Sequence, residues 1–291
     1  MFRFPAGSGG PFARLKPETR RVKAMNVEHV REMAREIRKE VVRMHRRGPN
    51  VGSAMSAADL LAVLYFDVLR IAAPDDPARD RFFLSKGHAA SALYAALALR
   101  GFLDRASLAG YLTDGSPLTG HPPCGLPGVE AATGSLGHGL PVAVGLALAA
   151  AQDGLPSRCF VLMGDGELQE GSVWEGASLA ARLGLDRIVA IVDANNLQGY
   201  DRVDEVDPAG RFAARFRAFG WSVREVDGHD PRALSACLRR VPFRKGRPSA
   251  VIARTVKGKG VAEMEDQLGW HYFSVPEAKL DAFLQELEAG P

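Results

Sequence analysis

The clearest chemical potential lies in an acidic residue set between two glycines and an amide thirty residues later. The segment Val161-Leu162-Met163-Gly164-Asp165-Gly166-Glu167 closes a short apolar run, and the next apolar run closes in Asp193-Ala194-Asn195-Asn196-Leu197. Two strand ends of this kind present Asp165 and Asn195 to one crevice. A carboxylate, an amide oxygen and a nearby backbone carbonyl are hard oxygen donors. They suit Mg²⁺ or Ca²⁺ that takes its remaining ligands from a diphosphate. The flanking glycines let backbone approach phosphate closely. Gly-Asp-Gly alone also marks ordinary turns; its specificity here comes from the distance to Asn195 and from the apolar run before each element.

The elements that must hold these residues follow from periodicity. From Val27, Val30, Met33, Ala34, Ile37, Val41 and Met44 recur at helical steps, with Gly48 and Pro49 as the stop. A second helix is expected over 57–69 and a third, nearly all Ala and Leu, over 89–99. Another helix is expected over 139–150. From about residue 155 the rhythm is strand then helix: extended over 159–163, helical over 172–182, extended over 187–192, helical over 211–219, extended over 221–226, helical over 231–240 and extended over 249–255. Continuous apolar runs separated by helices imply a mainly parallel sheet covered on both faces. Ligands of such sheets sit at the carboxyl ends of the strands. Residues 1–25, punctuated by Pro5, Gly7, Gly9, Gly10, Pro11 and Pro17, read as a loose arm before one domain over 26–291. The segment 201–210 reads as a polar surface loop.

Composition narrows the function classes. The chain has 291 residues, 46% hydrophobic and 24% charged, as a globular protein has. Lys+Arg 37 against Asp+Glu 34 offers no basis for a dedicated nucleic-acid binder. Cys124, Cys159 and Cys237 lie far apart with no CxxC pair, which argues against a zinc ribbon or disulfide scaffold and for reduced thiols in a cytoplasmic protein. The longest apolar stretch, Leu140 to Ala151, is 12 residues, too short to span a bilayer. No apolar core precedes Pro5 and Gly7, so no signal peptide is read.

Beyond these readings, Gly164-Asp165-Gly166 followed by Asn195 resembles the thiamin-diphosphate signature, and the surrounding words resemble the transketolase family. They are Ser85-Lys86-Gly87-His88, Gly120-His121-Pro122, Gly128-Val129-Glu130, Thr133-Gly134-Ser135-Leu136-Gly137-His138-Gly139, Asp227-Gly228-His229-Asp230, Thr255 to Val261 and Trp270-His271. The match runs over roughly residues 27–275 in the family's order, and co-linear words are specific where one alone is not.

The resemblance implies a three-layer α/β thiamin-diphosphate-binding fold with a mainly parallel sheet flanked by helices. It makes Asp165, Asn195 and the Leu197 carbonyl the metal ligands. Gly134, Ser135, Leu136, Gly166, Asn195, His88 and His271 become cofactor contacts, and His88, His121, His271 and Glu130 catalytic residues. Glu130 would belong to a proton-relay network at the subunit interface. His121 and His271 would contact the donor sugar. His138 stands where the family often has Gln. His29 and His45, on a charged helix, read as surface residues. Glu167 and Glu170 sit at a helix start, where the helix dipole is sufficient reason for a carboxylate.

A full-length transketolase continues through a pyrimidine-binding domain, and this chain stops at Pro291. The resemblance therefore implies the N-terminal subunit of a split transketolase. Its partner would be a C-terminal subunit carrying the pyrimidine-binding domain and the activating glutamate, in an α2β2 heterotetramer acting on sugars or sugar phosphates. The reaction would move a two-carbon ketol unit from a ketose to an aldehyde. One residue departs from the pattern. A family histidine that touches substrate aligns with Asn50, which stays neutral where a histidine can become cationic. That favours, as an alternative, a specialised two-carbon transfer in a biosynthetic pathway with a non-standard donor or acceptor.

Overall fold

The central strands are built from runs that lack a polar face. In the computed structural model, which describes residues 25–206 and 212–290, β1 (Arg81–Leu84), β2 (Cys159–Gly164), β3 (Ile188–Ala194), β4 (Ser222–Asp227) and β5 (Ser249–Arg254) form one sheet in the order β1-β2-β3-β5-β4. Every pairing is parallel. The central strands β2, β3 and β5 are buried along nearly their whole length, whereas β4, an edge strand with Arg224 and Glu225, is largely exposed.

Side-chain alternation divides the core in two. Phe160, Leu162, Val189, Ile191, Val251 and Ala253 face one apolar cluster; Cys159, Val161, Met163, Ile188, Ala190, Val192 and Ile252 face another. The first is covered by α1 (Val27–Met44), α2 (Val51–Val63), α3 (Ala90–Leu99), and, after the short α6 (Val203–Val206), α8 (Pro231–Leu238) and α9 (Leu280–Ala289). The second is covered by α4 (Gly139–Gln152), α5 (Gly171–Arg182) and α7 (Phe212–Ala218). The architecture is therefore the three-layer α/β arrangement expected.

Several elements differ from the sequence expectation. The second helix starts at Val51, not residue 57. Its first two turns contain Gly52, Ser53 and Ser56, which favour loops, but every residue of those turns is buried. Tertiary packing overrides the weak propensity. The helix continues through a π turn over Leu64–Val68, closed by Leu69 N–H donating to the Leu64 carbonyl at 2.8 Å. Val51–Val68 is thus long and apolar enough to cross a membrane, but 89% of it is buried inside the fold, where it serves as a core helix. Each large aliphatic side chain buried there contributes about 1.5–3 kcal/mol.

Strand β1 and helix α9 were not expected; both are short, and α9 shows only Phe283 and Leu287 as its buried pair. His45 is a correction. It lies in a 3₁₀ turn after α1 and is fully buried, with Nδ1 3.0 Å from the Gly48 carbonyl and Nε2 2.7 Å from Ser91 Oγ. His29 is exposed as expected. Apart from Met25, the arm expected over 1–25 lies outside the described residues, as does 207–211.

Candidate active site

Strand register brings the two key turns together. Gly164 pairs with Asp193, so Asp165 and Asn195 leave adjacent strands side by side. Asp165 is 3% exposed and accepts from Gly166 N–H at 2.9 Å and Asn196 N–H at 2.5 Å. Burial raises its pKa to about 6, with the Asp193 carboxylate adding to the rise and those two N–H donors opposing it. Asn195 Oδ1 accepts from Leu197 N–H at 3.1 Å, and its amide faces Ser56 Oγ at 3.4 Å. The Leu197 carbonyl accepts from Lys257 Nζ at 3.1 Å.

Four strand ends converge on this crevice. After β1 come Ser85, Lys86, Gly87 and His88. The Lys86 ammonium is 1% exposed, donates to Ser53 O at 3.1 Å and pairs with the Asp193 carboxylate. Asp193, fully buried, also accepts from Ser56 Oγ at 2.6 Å and from Thr255 Oγ1. Burial alone would raise the Asp193 pKa, but Lys86 and these donors hold it below the ordinary carboxylate value. After β5 comes Lys257, also 1% exposed, with Nζ 3.0 Å from His271 Nδ1. Burial, then the neighbouring Lys86 charge, lower its pKa to about 8.

The histidines gather above these ends. The His88 and His271 rings lie 5.8 Å apart. Burial and neighbouring Lys86 hold His88 well below the ordinary value, and burial followed by Lys257 brings His271 to about 4. Both are therefore neutral hydrogen-bonding imidazoles at physiological pH. His121 packs on Gly134, where an added Cβ would come within 3.2 Å of the ring. Ser135 is exposed and Leu136 half-buried on that loop. Asn50 joins the site through its backbone, its N–H donating to the His271 carbonyl at 3.0 Å, and takes a left-handed φ of 76°.

Glu130 stands apart from these residues. Its carboxylate is held by Arg79 and by Arg81, 3.3 Å away, near the amino end of β1. That is the opposite end of the sheet from Asp165. Three residues that sequence reasoning gave no role, Lys86, Lys257 and Asp193, shape the crevice, together with Glu167, which was read only as a helix-start carboxylate. Glu167 is 2% exposed and accepts from Ser85 Oγ, from Gly137 N–H at 2.8 Å and from Gly164 N–H at 3.2 Å, tying three loops together. The available signal for the lysines was their place two and three residues beyond the ends of β1 and β5.

The residues present fit a diphosphate with a divalent cation. Asp165, Asn195 and the Leu197 carbonyl supply hard oxygens from adjacent turns, and Lys257 adds a positive charge beside them. Among the described residues no group of three or more His, Cys, Asp or Glu side chains could hold a metal, so the oxygen set here is a mixed one. Two buried polar atoms without a partner also lie here. Thr133 Oγ1 would be 2.9 Å from a Cβ at Gly87, and the Gln198 side chain, whose Nε2 is unpaired, lies over Gly166. A buried polar group without a partner costs about 1–3 kcal/mol, which a polar ligand would relieve.

Residues 26–288 match the family described as the transketolase thiamine diphosphate binding domain. The chain is 39% identical over 260 residues to one subunit of the apulose-4-phosphate transketolase of Phocaeicola vulgatus, covering 88% of this chain and 92% of that one. It is 38% identical over 244 residues to the 6-deoxy-6-sulfo-D-fructose transketolase subunit SqwG of a Clostridium species, covering 82% and 88%. Its fold superposes on the solved transketolase from Leishmania mexicana with a TM-score of 0.82 at 29% identity, covering 89% of this chain and 41% of that one. The chain thus spans about two fifths of that solved transketolase but most of each of the two bacterial subunits.

Proposed function

Because this chain belongs to the transketolase family and forms its thiamine diphosphate-binding domain, we propose that it is the cofactor-diphosphate-binding subunit of a split transketolase. The assembled enzyme moves a two-carbon ketol unit from a ketose or ketose phosphate to an aldehyde. The observation that carries this reading is the meeting of Asp165, Asn195 and the Leu197 carbonyl with Lys257, His88 and His271 at the carboxyl ends of parallel strands.

Bound thiamin diphosphate supplies the carbanion chemistry. This chain's residues bind and orient. Asp165, Asn195 and the Leu197 carbonyl would hold Mg²⁺ or Ca²⁺, the Gly166 backbone would hold the diphosphate, and Gly134, Ser135 and Leu136 would contact the cofactor. His121 and His271 hydrogen-bond to the donor hydroxyls and His88 sits near the cofactor and the transferred fragment; as neutral imidazoles, His88 and His271 donate or accept without adding charge. The residue activating the cofactor's aminopyrimidine comes from a C-terminal subunit, and Glu130 belongs to the support of β1.

The proposal extends to an α2β2 assembly through a second copy of this chain. Val142, Gly145, Leu146 and Ala149 line the exposed face of α4, beside exposed Leu179 and Leu183. Glu175 and Arg182 flank Leu179 on α5 by about one turn each. An antiparallel copy of α5 places each beside its opposite charge. A cytoplasmic location is included, supported by three free cysteines that lie far apart.

Asn50 supports the narrower reading of a specialised donor or acceptor. Its N–H donates to the His271 carbonyl, and its side chain carries no charge. A coupled ketol-transfer assay on this chain with and without its partner subunit tests the main proposal. Turnover is expected from the pair alone, with Asp165→Ala losing Mg²⁺-dependent cofactor binding by calorimetry while circular dichroism is unchanged. Full turnover by the single chain, or unchanged cofactor affinity of Asp165→Ala, overturns it.

A further inference from the structure

We propose that His229 is a positioning residue for the crevice: it sets the backbone from which Lys257 reaches the Leu197 carbonyl and His271. This rests on the reading of the crevice as the cofactor site. The imidazole lies in the loop after β4, outside the crevice, and bridges two elements. Its Nδ1 is 2.6 Å from Asp59 Oδ2, and its Nε2 accepts from Val256 N–H at 2.8 Å. A backbone N–H can only donate, so Nε2 carries no proton and Nδ1 donates to Asp59. The tautomer is therefore set by its two partners.

Position makes this contact consequential. β5 ends at Arg254, and Thr255 N–H still finds the Ala194 carbonyl at 3.2 Å. Val256 is the first residue beyond that reach, and the imidazole is its acceptor. The following residue is Lys257. On the other side, Gly258 N–H donates to the Gly52 carbonyl at 3.0 Å. The Lys257 stem packs so closely on Gly52 that a Cβ there would lie 3.1 Å from its Cγ.

Both anchors lead to α2. Gly52 and Asp59 are seven residues apart on one face of that buried helix. Gly52 holds Gly258 directly; Asp59 holds Val256 through His229. Arg38 fixes Asp59 in turn, with Nη2 2.5 Å and Nη1 3.4 Å from its carboxylate. A lysine has a flexible four-carbon stem, so fixing its backbone on both sides narrows where its ammonium can reach. His229 supplies the side that α2 does not reach by itself.

Two substitutions separate this role from plain stability. In His229→Gln, Oε1 can still accept from Val256 N–H while the donation to Asp59 is lost. In His229→Asn, the amide can still donate to Asp59 while the Val256 bond is lost. Hydrogen exchange of the full chain reads the bond itself: Val256 N–H is expected to stay protected in the wild type and Gln variant and to exchange fast in Asn. Calorimetry with Mg²⁺ and thiamin diphosphate on the chain assembled with its partner subunit reads the consequence. The Kd is expected to rise about tenfold or more in His229→Asn and to stay within about threefold in His229→Gln, in the range seen for outer-shell changes. Equal losses in the two variants, losses that simply follow the melting temperatures, or retained Val256 protection in Asn overturn the proposal. Absence of cofactor binding by the wild-type assembly instead overturns the cofactor reading, while the exchange measurement still reports the His229–Val256 link.

Discussion

Individual side chains in this protein work through what their burial forbids. His45 has no charged partner; burial lowers its pKa to about 4 against the pull of the Gly48 and Pro49 carbonyls. An unfolded histidine titrates near 6.5. The folded state therefore prefers the neutral ring. Its contribution is fully present above pH 6.5 and is lost as pH falls from there toward 4. A gap of this size corresponds to about 3 kcal/mol. Urea unfolding at pH 7 and pH 4.5 should show a larger loss in the wild type than in His45→Gln, which has nothing to protonate. Equal losses would show that His45 is not held neutral. Asp59 runs the other way. Burial would raise its pKa, but Arg38 and His229 bring it to about 2, so its stabilisation holds above the unfolded value near 4 and fades as pH falls toward 2.

At the scale of elements, the crevice depends on how closely strand ends approach helix starts. Helix α4 begins at Gly139 directly against the end of β1. A Cβ at Gly139 would lie 2.9 Å from the Ser85 Cα, and still closer to the Ser85 side chain that donates to Glu167. Backbone cannot yield there as a flexible side chain can. Gly139→Ala is accordingly expected to destabilise the chain by about 1–3 kcal/mol, the usual range for overpacking a well-filled core. Denaturant titration measures this. Because Ser85 and Gly137 both bind Glu167, the same variant should also loosen the loop over 133–137, seen as faster amide exchange at Gly137. A stability change below about 0.5 kcal/mol would mean that α4 shifts freely along β1.

At the scale of the whole molecule, the exposed face of α4 is the feature a lone chain does not explain. Val142 is 50% exposed and Leu146 37% exposed on a helix with no charged residue from Gly139 to Gln152. Leu146→Glu places a charge in the centre of that stripe and touches none of the crevice residues. Sedimentation of the proposed assembly should then show a lower mass, with the fold of the chain retained by circular dichroism. An unchanged mass would assign the stripe no part in association.

The sequence by itself determined the fold class and the core of the candidate ligand set. Gly164-Asp165-Gly166 and Asn195 each follow an apolar run, and strand-then-turn geometry is local, so their spacing suffices to bring them side by side once the runs pair. The elements with strong periodicity, α1 and the strands β2, β3 and β5, were legible for the same reason. Tertiary structure alone decided the start of α2, where packing overrode loop-prone residues, and the partners of the buried charges. Lys86 meets Asp193 across 107 residues and His229 meets Asp59 across 170. Glu130 meets Arg79 and Arg81 across 51 and 49 residues. An ionisable side chain takes its role from the charge and burial around it, and those are set by chain segments distant in sequence. Periodicity records the face a residue occupies; the neighbour it finds there exists only after the layers have packed.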